Sequence, residues 1–154
     1  MTDSVESRLS AAGITLPQAA APAGSYVPTV RTANLLFVSG QVTMGPNGLE
    51  YVGRCGKEFG AEEGAAAARL CAVNILAQVK AALGSLDKVT RCVKLNGFVN
   101  STPDFNDHPK VINGASDLMA LAFGDKGRHA RAAVGVANLP FGVAAEVEAI
   151  FEVE

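Results

Sequence analysis

Two of the charged side chains in the C-terminal stretch GRHARAAVGVANLPFGVAAEVEAIFEVE, residues 127–154, lie in its mostly small and apolar runs. Arg131 heads the first apolar run, and Glu146 lies in the second run, beyond a Leu-Pro turn. A guanidinium is always charged and offers parallel N–H donors that match a carboxylate. A guanidinium partly buried among small residues needs such an anion, because burying it unpaired is strongly unfavourable. Arg131 could therefore act as a clamp for an organic anion.

An ordinary structural role competes with this hypothesis. Counted back from the turn of a predicted hairpin, Arg131 and Glu146 lie roughly opposite each other, and an exposed cross-strand ion pair would contribute only about 0.2–1 kcal/mol. Glu146 also belongs to a row of glutamates on one side of its strand, which is typical of a solvated face; the others are Glu148, Glu152 and Glu154. The residues alone leave both interpretations open.

A few further residues are candidates for a ligand site. Ser39 and Gly40 end an apolar strand, where the glycine either eases the exit of the chain or lets backbone approach a ligand. Tyr26 lies in GSYVPT, and an aromatic residue in such a position more often packs at a sheet edge than binds a ligand. Neither His108 nor His129 belongs to a motif, so the sequence predicts no Ser-His-Asp or Cys-His set and no metal site.

Length, charge and composition limit the classes of protein to which the chain could belong. The chain has 154 residues, which fits one domain with a sizeable core, and a formal net charge of −2. No basic block appears, so nucleic acid is not an expected partner. The polar start MTDSVESRLS is unlike a signal peptide, and the strongly apolar runs are too short to span a bilayer. The three cysteines form no CxxC pair, which favours a reducing cytoplasm as the location.

The hydrophobic pattern predicts the elements that position these residues. A period of two indicates strands, and apolar residues at three- and four-residue spacing indicate amphipathic helices. In chain order we expect two strands within 26–42, a helix over 62–83, a strand over 89–100, a helix over 109–123, and a hairpin of strands 132–137 and 144–153. The segment before about Ala23, rich in Ala and Pro, is expected to wrap the surface as an N-terminal extension.

This order, ββ-α-β-α-ββ, predicts a single α+β domain over residues 1–154. Two helices would cover one face of a mixed sheet of five or more strands. The other face would still carry apolar and small residues, and a face of that kind usually meets another subunit. A homo-oligomer is therefore expected from the pattern itself.

Four stretches, in this order, resemble the RidA/YjgF/YER057c/UK114 family of reactive-intermediate (imine) deaminases, once described as endoribonuclease L-PSP. They are GSYVPTVRTANLLFVSGQV, AVNILAQVKAALGSLDKVTRCVKLNGFV, DFNDHPKVINGASDL and ARAAVGVANLPFGVAAEVEAI. The last is the most specific, because it is similar to the closing signature of the family: an arginine, an apolar strand, Leu-Pro and an acidic alternating strand. The matching residues are Arg131, Leu139, Pro140, Glu146 and Glu148.

The resemblance implies a chorismate-mutase-like fold and a homotrimer with a central β-barrel and three clefts between subunits. It implies hydrolysis of 2-imino or enamino acids of the 2-aminoacrylate type to a 2-keto acid and ammonia, with no cofactor and no metal. By the same resemblance Arg131 grips the substrate carboxylate and Glu146 holds or activates the attacking water. Further positions that match the lining of the cleft are Tyr26, Ser39, Gly40, Asn113 and Ala133.

The chain also departs from the family pattern. Ala132-Ala133 stands where well-studied members usually carry Ser-Cys, so the backbone carbonyl at 133 is kept but the thiol is lost. The N-terminal extension and extra residues near His108 indicate a divergent subgroup. An alternative function is a non-catalytic trimer that binds a carboxylate without turning it over. An endoribonuclease would require strong affinity for RNA, which the acidic composition disfavours.

Overall fold

The computed structural model describes residues 3–154, which form one five-stranded mixed sheet, a small two-stranded ribbon and three α-helices. The strands are β1 (Thr29–Thr32), β2 (Leu35–Gln41), β3 (Met44–Gly45), β4 (Gly48–Leu49), β5 (Val89–Asn100), β6 (Ala130–Val136) and β7 (Ala145–Val153). The helices are α1 (Val5–Ala11), α2 (Ala61–Leu83) and α3 (His108–Phe123). The α+β class is confirmed, with one helix more than expected.

The strand order of the large sheet corrects one prediction. The order is β1-β2-β7-β5-β6, so β5 lies between the two strands that were expected to form a hairpin. β5 and β6 are parallel, and the other neighbours are antiparallel. A parallel pair needs a crossover connection, which α3 supplies.

The core lies between the sheet and the helices α2 and α3. Alternate side chains of β7 enter it, and these are Ala145, Val147, Ala149, Phe151 and Val153. α2 ends at Gly84 in the left-handed conformation, as the sequence predicts. By length and composition alone α2 could cross a membrane, contrary to the expectation that no run is long enough. Its apolar face is buried in the core, as in the central helix of many globular domains.

Two glycines let α3 approach its neighbours closely. A Cβ on Gly114 would lie 1.9 Å from the carbonyl oxygen of Ala65 on α2. A Cβ on Gly97 of β5 would lie 2.5 Å from the side chain of Ile112. A larger residue at Gly114 would force α3 away from α2, and one at Gly97 would force it away from the sheet. Either shift would move the side chains that α3 directs toward β6.

The N-terminal extension is more ordered than a surface wrap. It contains α1, capped by Ser4, whose hydroxyl accepts from the Ser7 amide at 3.0 Å. Leu9 of α1 is buried against the core. The guanidinium of Arg8 donates to the carbonyl of Ala122 at the end of α3 at 2.8 and 3.1 Å. Residues 1 and 2 of the predicted extension lie outside the described residues.

The second face of the sheet is not covered by helices. A row of paired residues crosses it from β1 to β6: Val30, Phe37, Ile150, Lys94 and Ala130. Val30 is 52% exposed and Phe37 is 39% exposed. The expected uncovered apolar face is therefore present in the protomer.

Candidate functional site

Arg131 lies on β6 and its side chain turns toward α3. Its Nη1 donates to Asn113 Oδ1 at 2.8 Å and to Ser116 Oγ at 3.1 Å. Its Nη2 donates to the carbonyl oxygen of Pro109 at 3.2 Å. These acceptors come from the first three turns of α3, so the close packing of that helix sets the position of the guanidinium. The predicted site residues Arg131 and Asn113 are thus direct hydrogen-bond partners.

A chain of hydrogen bonds extends behind the guanidinium. His129 Nδ1 lies 2.6 Å from the carbonyl oxygen of Gly127, and His129 Nε2 lies 2.8 Å from Ser116 Oγ. A carbonyl can only accept, so Nδ1 carries the proton of the neutral ring and Nε2 accepts from the Ser116 hydroxyl. That hydroxyl oxygen then accepts from Arg131. Every link has a donor and an acceptor, and the network fixes one orientation of the guanidinium.

Among the described residues, no carboxylate neutralises the Arg131 guanidinium, and some of its N–H groups have no acceptor. The ion pairs found among residues 3–154 join Arg8 to Asp3, Lys80 to Glu6 and Arg128 to Asp125, so the alternative Arg131–Glu146 pair is wrong. All of the partners of Arg131 are neutral. Within this part of the chain, Nε and one Nη2 hydrogen have no acceptor. This Nε–Nη2 edge is the shape that binds a carboxylate through two parallel hydrogen bonds.

Glu146 lies on β7 beside an irregularity in β2. Two residues, Ser39 and Gly40, stand opposite one residue of β7, so β2 forms a β-bulge there. A Cβ on Gly40 would lie 2.3 Å from Glu146 Oε1. A side chain at position 40 would displace the Glu146 carboxylate, which lies across the backbone of this glycine.

The environment of Glu146 disfavours its charge. Desolvation by burial raises the pKa of the Glu146 carboxyl, and the nearby Glu148 carboxylate raises it further. A carboxylate with a raised pKa is a better proton acceptor near neutral pH than an exposed glutamate. Two other glutamates of the row are held by hydrogen bonds: Glu148 accepts from Asn96 at 3.0 Å and Glu152 accepts from Thr90 at 2.7 Å, whereas Glu154 is exposed. The row is thus partly buried rather than fully solvated.

A cavity of about 340 Å³ opens beside Glu146. Tyr26 and Gly40 line it together with Phe141, and the rest of the lining is mostly apolar: Ala20, Ala21, Pro22, Ala23, Pro28, Val42, Met44 and Pro140, with Gln41 and Gln78. The N-terminal extension forms one wall, and Gln78 Nε2 holds it by donating to the Ala20 carbonyl at 2.8 Å. We call this the glutamate cavity.

The remaining predicted site residues have structural contacts of their own. The Ser39 hydroxyl donates to the Val27 carbonyl at 2.8 Å and so holds the segment that carries Tyr26. Tyr26 is half exposed, and its hydroxyl accepts from the Ala23 amide at 3.3 Å. Ala133 follows Arg131 on the same side of β6 and packs against the core. Ser39 therefore lies behind the wall of the cavity rather than in it.

The structure does not bring Arg131 and Glu146 together in one protomer. Arg131 pairs with Leu95 of β5, whereas Glu146 pairs with Phe98, three residues further along the same strand. Side chains alternate along a strand, so the two residues lie on opposite faces of the sheet. Strand spacings place their Cα atoms about 14 Å apart. The predicted site residues thus form two separate groups.

Sequence reasoning missed Ser116, His129 and Phe141. Ser116 follows Asn113 by three residues, so a helical reading of 109–123 could have placed both on one face. Phe141 gives no such signal. It takes a left-handed φ of 61° and is 60% exposed at the rim of the glutamate cavity. A bulky residue in this strained conformation is typical of functional loops.

A family model described as "YjgF/chorismate mutase-like, putative endoribonuclease" matches residues 6–151. The chain belongs to this family. The match extends from α1 to β7 and so includes both groups of candidate residues. It confirms the resemblance on which the site residues were assigned.

Relatives within the family differ in how closely they match. The chain is 52% identical over 149 residues to Protein TCP17 of Trypanosoma cruzi, covering 96% of this chain and 93% of that protein. It is 51% identical to the Agrobacterium tumefaciens protein Atu1372, of unknown function, with a TM-score of 0.92 over 97% of this chain and 92% of that one. It is 31% identical to a 2-iminobutanoate/2-iminopropanoate deaminase of Dermatophagoides farinae, over 92% and 95% of the two chains. The chain is thus nearer in sequence to proteins without a stated activity than to the named deaminase.

Proposed function

We propose that the protein hydrolyses 2-imino acids to 2-keto acids and ammonia, in a cleft between two protomers of a homotrimer. The observation that carries the proposal is the free Nε–Nη2 edge of Arg131, held in place by neutral acceptors only. A fixed, uncompensated guanidinium is suited to binding the carboxylate of such a substrate. The named activity of the 31% identical relative supports the same reaction class.

The reaction needs one positioned carboxylate besides the clamp. An imine carbon is already electrophilic, so a covalent nucleophile is not required. Glu146 accepts a proton as water attacks that carbon, and the proton is passed to the nitrogen. The resulting carbinolamine collapses: the C–N bond breaks, the hydroxyl proton goes to nitrogen, and ammonia leaves as the keto C=O forms. General base catalysis of this kind contributes about 10²–10⁴-fold, and orientation by Arg131 adds to it.

The separation of the two groups supports a site shared between protomers. Arg131 and Glu146 cannot contact one small substrate within a protomer, because they lie on opposite faces of the sheet. Cyclic symmetry can bring the Arg131 group of one protomer to the glutamate cavity of the next. The uncovered apolar face, with Val30 and Phe37 exposed, supplies the surface that such an assembly would bury.

The glutamate cavity favours an apolar substrate side chain. Its walls are mostly alanine, proline, methionine and phenylalanine side chains, and Glu146 is the only carboxylate among the lining residues. Burying an apolar side chain there gains about 0.8 kcal/mol per methylene group, whereas a charged one would lose hydration without a partner. We therefore expect imines derived from amino acids such as leucine or methionine to be better substrates than one derived from glutamate.

A coupled assay tests the function directly. An amino-acid oxidase generates the imines in situ from alanine, leucine, methionine and glutamate, and their decay is followed with and without the protein. We expect faster decay with the wild type and no acceleration with Arg131→Ala. Arg69→Ala, which removes an exposed arginine of α2, is the matched control and should behave as the wild type.

The oligomer and the fold are measured in the same samples. A folded trimer that accelerates the decay of none of the imines would overturn the deaminase and leave a carboxylate-binding module. Acceleration that Arg131→Ala retains would show that another group binds the carboxylate.

A further inference from the structure

We propose that a second cavity, at the C-terminal end of β6, binds a small oxyanion, either a carboxylate or a phosphate group, through Arg54 and His108. The cavity has a volume of about 390 Å³. Its walls come from the loop before α2, the loop between β5 and α3, and the last residues of β6, and we call it the β6 cavity. Its lining residues are Arg54, Ser101, Thr102, Pro103, Phe105, Asn106, His108, Gly135, Val136 and Ala137.

Arg54 brings a positive charge that forms no ion pair with any of residues 3–154. Its Nη2 donates to the Ser101 carbonyl at 2.7 Å, which fixes the guanidinium at the cavity wall. Its Nε is shielded from solvent and has no hydrogen-bond partner within residues 3–154. The carboxylate of Glu58 accepts from the backbone amide of Arg54 at 3.1 Å and makes no ion pair with the guanidinium. A desolvated donor of this kind is costly unless an acceptor is supplied from outside.

His108 faces the same cavity and is held in place from two sides. Its Nε2 lies 3.1 Å from Ser101 Oγ, and its ring meets the edge of Phe105 with centroids 5.7 Å apart. A Cβ on Gly135 would lie 2.4 Å from His108 Nε2 and 2.8 Å from Ser101 Oγ. The glycine on β6 thus leaves space for the imidazole and hydroxyl to lie over the strand. Ser101 therefore contacts both groups: its hydroxyl lies beside the His108 ring, and its backbone carbonyl accepts from Arg54.

The chemistry of the lining selects an anion. The lining offers a guanidinium, an imidazole, two hydroxyls and an amide, and no carboxylate is among these residues. Two acidic residues lie in the same loop without lining the cavity: Asp104 accepts from the Thr102 hydroxyl at 2.7 Å, and Asp107 immediately precedes α3. Because these two carboxylates lower the positive potential around the loop, we expect a ligand to bind through direct hydrogen bonds to the residues of the cavity wall, and not through long-range electrostatic attraction.

The β6 cavity is separate from the Arg131 clamp. Gly135 lies four residues beyond Arg131, which is about 13 Å along a strand. Arg131 is not among the residues that line the β6 cavity, so we infer that the ligand of this cavity is a second molecule. The inference does not depend on the proposed deaminase, and it can be tested in a protein that lacks the clamp.

The test uses the full-length Arg131→Gln protein, so that binding at the clamp does not contribute. Sodium phosphate and sodium acetate are titrated separately at constant ionic strength, and the backbone amide and His108 ring signals are followed by NMR. We expect saturable shifts at His108, Ser101 and Arg54. Adding Arg54→Gln should weaken binding at least about tenfold, because a charge-assisted hydrogen bond is lost. Adding Arg69→Gln removes an equal charge elsewhere and should leave binding unchanged.

The two probes distinguish the sources of the oxyanion. Saturation by phosphate alone indicates a phosphoryl ligand, and saturation by acetate as well indicates a carboxylate site. Linear, unsaturated shifts with both probes would overturn the proposal, and so would equal binding by the Arg54→Gln protein. His108→Gln, which keeps a hydrogen-bonding side chain, is the second variant. If thermal unfolding shows that Arg54→Gln does not fold, His108→Gln takes its place. Equal binding by the His108→Gln protein would then overturn the proposal.

Discussion

Arg131 and Glu146 lie on opposite faces of one sheet, with β5 between the strands that carry them. Arg131 is held by hydrogen bonds to α3, and Glu146 lies over the backbone of Gly40 at the bulge of β2. The two residues therefore belong to two half-sites of a protomer. A catalytic site that uses both requires the half-sites of two protomers to meet.

The network behind Arg131 should act as one unit. Ser116→Ala and His129→Ala each interrupt the chain of hydrogen bonds between the Gly127 carbonyl and the guanidinium. We expect either variant to raise KM for a 2-imino acid about tenfold, which is the effect of one lost hydrogen bond, with a smaller change in kcat. Steady-state kinetics measure both constants.

The double variant separates positioning from general destabilisation. Ser116 and His129 act through the same guanidinium contact. The KM of the double variant Ser116→Ala/His129→Ala should therefore be no higher than that of the single variant with the higher KM. Additive losses, or losses in kcat alone, would show that Ser116 and His129 do not act by orienting Arg131.

The raised pKa of Glu146 makes stability depend on pH with a defined sign. Between the ordinary carboxyl pKa of about 4.3 and the raised value, the folded protein binds more protons at this site than the unfolded chain does. Stability therefore falls as pH rises through that window. Glu146→Gln lacks this titration. The free energy of unfolding of Glu146→Gln, minus that of the wild type, should therefore be larger at pH 7 than at pH 4.

Urea unfolding at a series of pH values measures this difference. Asp117→Asn, which neutralises an exposed carboxylate of α3, is the control and should show no such trend. A relative stability of Glu146→Gln that stays constant or decreases toward pH 7 would mean that the burial of Glu146 does not disfavour its charge.

The wall formed by the N-terminal extension should set the size of the substrate side chain. Ala21 is exposed in the protomer and lines the glutamate cavity, so Ala21→Leu fills the cavity without disturbing the core. We expect kcat/KM for a leucine-derived imine to fall about tenfold or more, because excess bulk in a pocket discriminates at that level. The alanine-derived imine should change less than about threefold.

Ala11→Leu supplies the control, because Ala11 is an exposed alanine of α1 outside the cavity lining. Equal effects of Ala21→Leu on both imines would show that the substrate side chain does not contact this wall.

The helices and strands could be predicted closely from the sequence. The predicted helices over 62–83 and 109–123 correspond to α2 and α3, because long amphipathic segments carry a strong periodic signal. α1 was missed because a seven-residue helix gives less than two turns of periodicity. Its stability comes from tertiary contacts such as that of Leu9 with the core.

The pairing of strands was the weaker part of the prediction. A period of two shows which side chains share a face, but not which strand lies beside another. The order strand–helix–strand over 89–136 was itself a signal of a parallel β5–β6 pair. Reading β6 and β7 as a hairpin placed Arg131 opposite Glu146, although β5 separates them. Resemblance to the family identified Arg131 and Glu146 as site residues. Their separation into two half-sites follows from the strand order, which the resemblance alone did not provide.

Complementation between two inactive variants tests the shared site most directly. Arg131→Ala and Glu146→Gln chains, carrying different tags, are co-expressed in equal amounts, and the mixed trimers are purified. If each site takes Arg131 from one protomer and Glu146 from the next, every mixed trimer contains one complete site out of three, so about a third of the wild-type deaminase activity should return. Mixed trimers as inactive as either parent would contradict a catalytic site built from Arg131 and Glu146 of different protomers.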